Sequence, residues 1–320
     1  MKKILISGIN GFAGSHLCEY ILANHKEVKI HGTIRRRSDL DNIIHIKDKL
    51  NLLECDLRDS HSVDRVIAEV RPDKIFHLAA QSFVPTSWKI PTETFESNVI
   101  GTLNLLEAVR AQKDYDPIIQ IACSSEEYGA VEKDALPIKE TCPLRPLSPY
   151  AVSKVAQDML GYQYYKSYGM KIIRTRAFNH SGIRRPADFV DSCFAYQIAR
   201  IEKGKQKTLL YGNLETIRDF VDVEDVVRAY WMVTEYEELC GQAINIASGI
   251  GRQIADVLRI LIDNSSFEIK TKTDKNKMRP SDVPVLIGDA TLLRKKTTWT
   301  PKITYETTLI NMLNYWRERV

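Results

Sequence analysis

The chain has 320 residues, of which 44% are apolar and 27% are charged, and its formal net charge is +4 at pH 7. These proportions are typical of a globular protein with one large domain or two moderate ones, and the interspersed acids and bases argue against a nucleic-acid-binding surface. The six cysteines form no C-x-x-C pair and the seven histidines show no metal-ligand spacing, so we expect reduced thiols, a cytoplasmic location and no metal site.

The N-terminal stretch MKKILISGINGFAGSHL begins with a basic pair and a short apolar run. A signal peptide needs a longer apolar core and a cleavage site, and a membrane span needs about 20 apolar residues. Here the apolar run breaks into glycines at once, and no later run approaches the length of a span. We therefore expect no membrane association.

Short apolar runs rich in β-forming residues alternate with helical patterns through the first half of the chain. The predicted strands are residues 3–7, 28–34, 50–55, 74–80, 118–123 and 171–176, and the predicted helices between them include residues 15–23, 62–70, 92–112 and 150–168. Strands that are apolar throughout and separated by helices indicate a parallel sheet covered on both faces. We therefore predict an α/β fold of the Rossmann type, with a doubly wound parallel sheet.

The alternation loosens after residue 177, where shorter elements surround helical patterns at residues 223–235, 253–263 and 307–319. We interpret residues 1–177 as the Rossmann domain. Residues 178–320 then form a smaller C-terminal substrate lobe, with parts returning to the first domain. Open parallel sheets bind ligands at the carboxyl ends of their strands, so we expect the site in the cleft between the lobes.

The sequence GINGFAG places three glycines between the first predicted strand and the first predicted helix. Gly8 allows a tight turn, Gly11 lets the backbone approach a pyrophosphate, and Gly14 lets the helix sit close to the sheet. The helix N-terminus then directs N–H groups at the phosphates. We predict a dinucleotide site that includes Asn10 and Phe12 of the same loop; the alternative is a glycine turn without a ligand.

The second predicted strand runs into TIRRRS and has no acidic residue at its end. NAD-binding proteins usually place an acid there to hold the ribose hydroxyls, whereas arginines suit a 2′-phosphate through charge-assisted hydrogen bonds. We predict that Arg35 and Arg36 bind NADP(H), with NAD(H) as the alternative cofactor. A solvated basic loop would carry the same residues.

The ends of the third and fourth predicted strands carry further residues suited to a dinucleotide. ECDL places Asp56 and Leu57 where an adenine would lie. HLAAQS offers Leu78, Ala79 and Ala80, and its small residues would let the cofactor lie flat over them. Both predictions follow from the binding of ligands at the carboxyl ends of parallel strands.

The segment SPYAVSK places Tyr150 and Lys154 four residues apart, on one face of a predicted helix. A tyrosine has an ordinary pKa near 10, and a neighbouring ammonium favours the phenolate and lowers that pKa. The tyrosine can then exchange a proton with a sugar hydroxyl near neutral pH, and the lysine can also bind a nicotinamide ribose. The pair alone would also fit an ordinary exposed helix face, but it stands downstream of a glycine loop.

Taken together, the motifs resemble the extended short-chain dehydrogenases/reductases that act on nucleotide sugars. The matching segments cover nearly the whole chain and include GINGFAG, HLAAQS, SNVIGTLNLLEA, SSEEYG, SPYAVSK, AFNHSG, GNLETIRDFVDVEDVV and RPSDVPVLIGD. The last two segments most resemble the GDP-mannose branch. That branch contains the GDP-mannose 4,6-dehydratases and the reductases of GDP-4-keto-6-deoxymannose.

The resemblance implies an NADP(H)-dependent enzyme in which Tyr150 is the catalytic acid/base and Lys154 is its partner. Ser124 of SSEEYG falls where the family has its Ser/Thr hydroxyl, and Phe178 of AFNHSG is expected beside the cofactor. The implied substrate is a GDP-linked deoxysugar.

The resemblance also implies a homodimer joined through a four-helix bundle, to which the predicted helices at residues 92–112 and 150–168 contribute. A binding protein of the same fold without turnover is an alternative from another functional class. Such relatives usually lose the tyrosine or the lysine, and this chain has both.

A nucleotide sugar carries a pyrophosphate, so the second lobe should offer cations. By resemblance, Asn179 binds the sugar or the diphosphate, and Arg218 and Arg279 hold the phosphates. We also expect Arg184 and Ser82 among the substrate-binding residues. Arginine suits this task because its planar fork can donate two hydrogen bonds to one phosphate.

The reaction type depends on Glu126 of SSEEYG. A 4-keto reductase needs a hydride donor and a proton donor, whereas a dehydratase also needs a base for the C5 proton. In the dehydratases that base is a carboxylate two residues after the Ser/Thr, which is Glu126 here. Adjacent residues on a strand end point to opposite faces, so we expect only one of Glu126 and Glu127 to reach the cleft. We interpret the chain as a reductase with a GDP-rhamnose-type product, with a dehydratase or an epimerase as alternatives.

Overall fold

The computed structural model describes residues 1–278 and 283–320. Within these residues the strands are β1 (Lys2–Ser7), β2 (Val28–Ile34), β3 (Asn51–Glu54), β4 (Lys74–His77), β5 (Ile118–Ser124), β6 (Ile172–Ala177), β7 (Asn179–Ser181), β8 (Leu209–Tyr211), β9 (Ile217–Asp222), β10 (Ala243–Ile246), β11 (Gly251–Gln253), β12 (Thr271–Thr273) and β13 (Val285–Leu286). The α-helices are α1 (Phe12–Asn24), α2 (Ser60–Val70), α3 (Val84–Lys89), α4 (Pro91–Phe95), α5 (Gly101–Arg110), α6 (Pro149–Tyr168), α7 (Val190–Glu202), α8 (Val223–Val233), α9 (Ile254–Asp263), α10 (Thr291–Thr297) and α11 (Tyr305–Arg317). A π-helical turn, Glu96–Ile100, joins α4 to α5, and a 3-10 turn, Ser125–Tyr128, follows β5.

The large sheet has the strand order β3-β2-β1-β4-β5-β6-β10, and every neighbouring pair is parallel. Apolar side chains of α1, α8 and α10 pack on one face, and those of α2, α5 and α6 pack on the other. The predicted doubly wound α/β fold is therefore confirmed. Successive strands are added on one side of β1 as far as β3 and on the other side from β4 onward. A ligand-binding crevice is therefore expected at the carboxyl ends of β1 and β4, where the strand order switches sides.

The second half of the chain builds a smaller lobe and also returns to the large sheet through β10. In this lobe β9 pairs with β7, β11 and β13, and β8 pairs with β12. Helices α7, α9 and α11 enclose a separate apolar core with β8 and β9. The division at residues 177 and 178 stays a prediction.

Helix α6 has both predicted catalytic residues near its start, and its sequence explains its bounds. The Ser148 hydroxyl accepts a backbone N–H of the first turn at 3.1 Å, and Pro149 occupies the first helical position. The helix ends before Gly169, which has the left-handed φ of +71°. Although α6 has 20 residues, neither it nor another helix in the described part of the chain is long and apolar enough to cross a membrane.

Strand β4 ends at His77, three residues before the predicted strand did. The Ser7 hydroxyl accepts the N–H groups of Leu78 and Ala79 at 3.0 and 3.1 Å, so these residues leave the sheet ladder and turn over the end of β1. This early exit forms the floor of the crevice beside the glycine loop.

Candidate active site

The glycine loop has the close backbone packing that a dinucleotide cradle requires. Gly8 has a φ of +68°, which favours glycine, and a Cβ there would lie 3.0 Å from the Cα of Ala79. A Cβ at Gly14 would lie 2.9 Å from the Cα of Ile9 and closer still to the carbonyl oxygen of Gly8. Gly11, the residue before α1, has no side chain to cap the helix, so the first-turn N–H groups are left for a ligand.

Two other predicted residues of this loop fix its surroundings. The Asn10 side chain donates to the carbonyl of Asp39 at 2.8 Å and so ties the glycine loop to the segment after the arginines. The Phe12 ring stacks on His180 with the ring centres 5.9 Å apart, which joins the start of α1 to β7 in the second lobe. The loop is therefore held from both sides of the crevice.

An arginine-rich cavity of about 520 Å³ adjoins the ends of β2 and β3. The predicted cofactor residues Arg35, Arg36 and Asp56 all line it. Sequence reasoning missed two of its arginines, Arg58 and Arg65, which lie outside the TIRRRS run. The full set of lining residues is Arg35, Arg36, Arg37, Ser38, Glu54, Asp56, Arg58, Asp59, Ser62 and Arg65. Arg58 donates to both carboxylate oxygens of Asp56, with distances of 2.7 and 3.0 Å, and these hydrogen bonds lower the pKa of that carboxyl.

The remaining predicted cofactor residues lie along the sheet edge that faces the crevice. Leu57 is buried, and Leu78, Ala79 and Ala80 are half-buried at the end of β4. Phe178, which follows β6, is buried, and its N–H donates to the carbonyl of Ile246 at 2.9 Å. Their contacts with a cofactor stay predictions.

Asn98, in the π-helical turn, lies close to the predicted catalytic residues, and sequence reasoning did not single it out. Its side-chain oxygen accepts the N–H of Gln81 at 2.8 Å, and its amide donates to the Gln81 carbonyl at 3.0 Å and to the Ser153 hydroxyl at 2.9 Å. The buried amide therefore joins the loop after β4 to α6, beside the predicted catalytic residues. The motif SNVIG was a signal for it, because a polar side chain within an apolar helix pattern needs partners when buried.

Ser124, Tyr150 and Lys154 come together where β5 ends and α6 begins. They are 7%, 8% and 3% exposed, and the hydroxyls of Ser124 and Tyr150 are hydrogen-bonded to each other. The Lys154 ammonium lies 6.0 Å from the centre of the Tyr150 ring and donates to the Ala122 carbonyl at 2.7 Å and to Gln157 Oε1 at 2.8 Å. The hydrogen bonds fix the lysine behind the tyrosine.

Burial dominates the electrostatics of this cluster. It raises the pKa of Tyr150, against the Ser124 hydrogen bond, which acts to lower it. Burial also lowers the pKa of Lys154, while Cys123 and Glu127 act to raise it. The net shift of the Tyr150 pKa is therefore upward, because burial outweighs the lowering expected from the lysine. A phenol that keeps its proton is suited to act as an acid.

The adjacent acids Glu126 and Glu127 have different surroundings. They lie on the 3-10 turn rather than on the strand end, and Glu127 is fully buried while Glu126 is half-buried. The Glu126 N–H donates to the Ser124 hydroxyl at 3.2 Å, and the Glu126 carboxylate is close enough to Tyr150 to raise its pKa. Glu127 Oε1 accepts the N–H of Ser124 at 2.7 Å from behind. Glu126 is thus the acid nearer the solvent side of the cluster.

The predicted substrate residues are only partly brought together. Ser82 is exposed on the loop after β4, and Asn179 is half-buried at the start of β7. Arg218 is buried on β9, where it donates to the Ile217 carbonyl at 3.0 Å. Arg279 lies outside the described residues.

Arg184 is paired with Glu19 of α1, and its contact with the substrate stays a prediction. Its guanidinium donates to both carboxylate oxygens of Glu19 at 2.7 and 2.6 Å and to the Asn42 carbonyl at 3.1 Å, which commits it to α1. Arg185 is instead buried toward the cleft, with its guanidinium carbon 5.5 Å from the Phe12 ring centre and 4.1 Å from that of Phe189. Sequence alone could not separate two adjacent arginines.

Comparison of the sequence with known proteins identifies the family of this chain. The family described as GDP-mannose 4,6 dehydratase matches residues 5–312. The chain belongs to the GDP-mannose 4,6-dehydratase family. A curated protein similar to this chain is the GDP-6-deoxy-D-mannose reductase of Pseudomonas aeruginosa, which is 32% identical over 100% of this chain and 98% of its own length. The GDP-mannose 4,6-dehydratase of Yersinia enterocolitica is 33% identical over 96% of this chain and 91% of its own length.

Solved structures with bound NADPH or NAD superpose on nearly the whole chain. The structure of RMD from Pseudomonas aeruginosa complexed with NADPH superposes with a TM-score of 0.86 at 31% identity and covers 100% of both chains. A Thermus thermophilus UDP-glucose 4-epimerase complex with NAD gives a TM-score of 0.87 at 28% identity, over 99% of this chain and 100% of that one. The resemblance predicted from the motifs is confirmed, and this member of the dehydratase family is an enzyme of the oxidoreductase type.

Proposed function

We propose that this chain is an NADPH-dependent reductase of the 4-keto group of a GDP-4-keto-6-deoxy sugar, with a GDP-rhamnose-type product. The observation that carries the proposal is the buried Ser124–Tyr150–Lys154 cluster, because reduction of a ketone needs a proton donor and this cluster supplies one. The whole-length similarity to a GDP-6-deoxy-D-mannose reductase supports the choice of substrate class.

The residues of the crevice fit a bound NADP(H). Gly8, Gly11 and Gly14 form a cradle that a Cβ would fill, and α1 begins there without a side-chain cap. We propose that the pyrophosphate lies on this cradle and that Arg35 and Arg36 hold the 2′-phosphate, with NAD(H) as the weaker cofactor. The bound nicotinamide supplies the hydride.

The proton side of the reaction is assigned to the chain's own residues. We propose that Tyr150 donates its phenol proton to the oxygen that was the 4-keto group, while the Ser124 hydroxyl donates a hydrogen bond to the same oxygen. These donors act on charge that develops only in the transition state, which is where they lower the barrier. The Lys154 ammonium, held by Ala122 and Gln157, stabilises the phenolate left on Tyr150.

We assign the GDP pyrophosphate to the second lobe. Arg218, Arg279 and Asn179 remain the proposed phosphate and sugar ligands. Asp219 is an organiser of this region, since its carboxylate accepts the N–H groups of Ser248, Gly249 and Gly288 at 2.9, 2.9 and 3.2 Å.

A GDP-mannose 4,6-dehydratase is the second candidate, because Glu126 lies beside Tyr150 where a C5 base would be needed. Two assays separate the candidates. NADPH loss is followed with GDP-4-keto-6-deoxymannose, and GDP-mannose with NADP⁺ is tested for a 4-keto product. NADPH loss in the first assay, with no 4-keto product in the second, supports the reductase. A 4-keto product in the second, without added reductant, refutes it, and the same assay with UDP-sugars tests an epimerase.

We also propose a homodimer joined through α5 and α6. The outer face of α6 carries exposed Val152 and Met159 one heptad apart, and Phe95 and Ile100 are exposed on the neighbouring helical stretch. Such an apolar face is typical of an interface. Light scattering should give twice the 36.6 kDa chain mass, and Met159→Glu should reduce it to one chain.

The cytoplasmic location is likewise our proposal. All six cysteines fall within the described residues, and none of them forms a disulfide there. Unpaired thiols suit a reducing compartment.

A further inference from the structure

A group of buried charges lies behind the proposed catalytic cluster, on the side away from the cleft. It contains Glu127 on the 3-10 turn, Asp158 and Lys154 on α6, and Arg174 and Arg176 on β6, all of which are buried. Burying such a group costs desolvation free energy, and buried charges next to a proposed catalytic cluster are candidates for a functional role.

Most of these charges are paired with each other. Asp158 accepts from Arg174 Nη1 at 2.5 Å and from Arg176 Nε at 2.9 Å, which satisfies both of its oxygens. Lys154 is held by a carbonyl and an amide oxygen rather than by a carboxylate. Glu127 forms a second ion pair with Arg176, the arginine that it shares with Asp158.

Glu127 is only half satisfied. Its Oε1 accepts the Ser124 N–H as part of a reciprocal capping arrangement around the 3-10 turn. Its Oε2 accepts no hydrogen bond from the described residues, although Arg176 Nε lies 3.3 Å away. Oxygen atoms of Glu127 and Asp158 and the sulfur of Cys123 all lie within 4.8 Å of one another.

We propose that Glu127 is a positioning residue for the reaction: from behind the cleft, its carboxyl group fixes the backbone of Ser124 and sets the local charge at Tyr150 and Lys154. The inference rests on the proposed reductase function. It differs from the role of Glu126, because Glu127 has no access to the cleft and acts through other residues.

Its surroundings shift the titration of Glu127 toward neutral pH. Burial and the neighbouring Asp158 carboxylate raise its pKa to about 8, against the opposing effects of Arg176 and Lys154. When Glu127 is protonated, its Oε2 can donate a hydrogen bond instead of remaining an acceptor without a partner. Once the proton leaves, the new negative charge acts to raise the pKa values of both Tyr150 and Lys154.

Glu127→Gln separates charge from position. The glutamine oxygen can still accept the Ser124 N–H, but it never ionises. Glu127→Leu removes the charge and the acceptor together. We expect kcat to stay within about 3-fold of wild type in the Gln variant and to fall at least about 10-fold in the Leu variant, with the KM for NADPH unchanged in both.

The pH profile gives the readout that a structural role would not change. In the Gln variant the alkaline limb of the reduction rate should move to lower pH by at least about 0.5 unit, because the anion that holds the phenol proton is gone. A profile that superimposes on that of wild type overturns the charge role. Equal kcat values in the two variants overturn the positioning role. If the Leu variant does not fold, the Gln profile alone decides.

A second measurement needs no sugar. The ultraviolet titration of wild type minus that of Tyr150→Phe reports the phenol of Tyr150, and the same difference is taken in the Glu127→Gln background. A lower titration midpoint in that background supports the inference, and an unchanged midpoint overturns it. If no nucleotide sugar is turned over, the reductase proposal fails, whereas this titration still tests Glu127.

Discussion

Replacing Tyr150 with phenylalanine removes the proposed proton donor and almost nothing else. The side chain is 8% exposed, and phenylalanine fills the same space, so the fold loses one hydroxyl hydrogen bond to Ser124. That loss costs about 1 kcal/mol of stability. A positioned general acid contributes about 10²- to 10⁴-fold to the rate, so kcat should fall by that factor, which corresponds to about 3 to 5 kcal/mol of activation free energy.

Tyr128→Phe is the matched control. Tyr128 is also buried, and its hydroxyl donates to Asn245 Oδ1 at 2.7 Å and accepts from Arg176 Nη1 at 3.0 Å. Its loss leaves two buried polar groups short of a partner, so we expect this variant to lose more stability, about 1–3 kcal/mol, yet to keep most of its kcat. Tyr150→Phe should therefore be the more stable but slower variant, and Tyr128→Phe the less stable but faster one.

The assay is NADPH absorbance with GDP-4-keto-6-deoxymannose, with thermal unfolding and NADPH affinity measured on the same preparations. NADPH should bind both variants within about 3-fold of wild type. If Tyr150→Phe retained more than a tenth of the wild-type kcat, or if Tyr128→Phe lost as much, Tyr150 would not be the proton donor and the assignment would be refuted.

Three further outcomes are expected. Arg36→Ala should weaken NADPH binding at least about 10-fold and NADH binding less than about 3-fold, because only NADPH has a 2′-phosphate. The control Arg259→Ala removes an exposed arginine that pairs with Asp256 at 2.8 Å, and an equal loss for both cofactors in Arg36→Ala would count against the arginine site. Glu126→Gln should lower reduction by less than about 5-fold, since Tyr150 and Ser124 suffice for it, and a near-complete loss would instead favour the dehydratase. Burial raises the pKa of Asp222 to about 6, so the folded chain holds that proton to a higher pH than the unfolded chain and loses stability as pH rises from about 4 to about 6. The unfolding temperature of Asp222→Asn minus that of wild type should therefore increase from about pH 4 to about pH 7. A constant difference across this range would contradict the raised pKa.

Local patterns in the sequence determined much of this protein. The glycine spacing of GINGFAG and the four-residue spacing of Tyr150 and Lys154 each lie within one element or one turn, where backbone geometry alone fixes which groups are neighbours. The alternation of apolar strands with helices likewise predicted the parallel sheet, because only a sheet covered on both faces buries such strands. The family followed from the same motifs.

Tertiary structure decided which of several equivalent side chains faces the site. Glu126 and Glu127 are adjacent and identical in type, yet packing against Asp158 and Arg176 buries the second and leaves the first beside the cleft. Arg58 lines the arginine cavity together with Arg35 and Arg36 because the pairing of β2 with β3 brings the ends of these two strands together. Partners of this kind lie tens of residues apart in the chain, so burial, and with it the direction of each pKa shift, is fixed only when the sheet and its helices assemble.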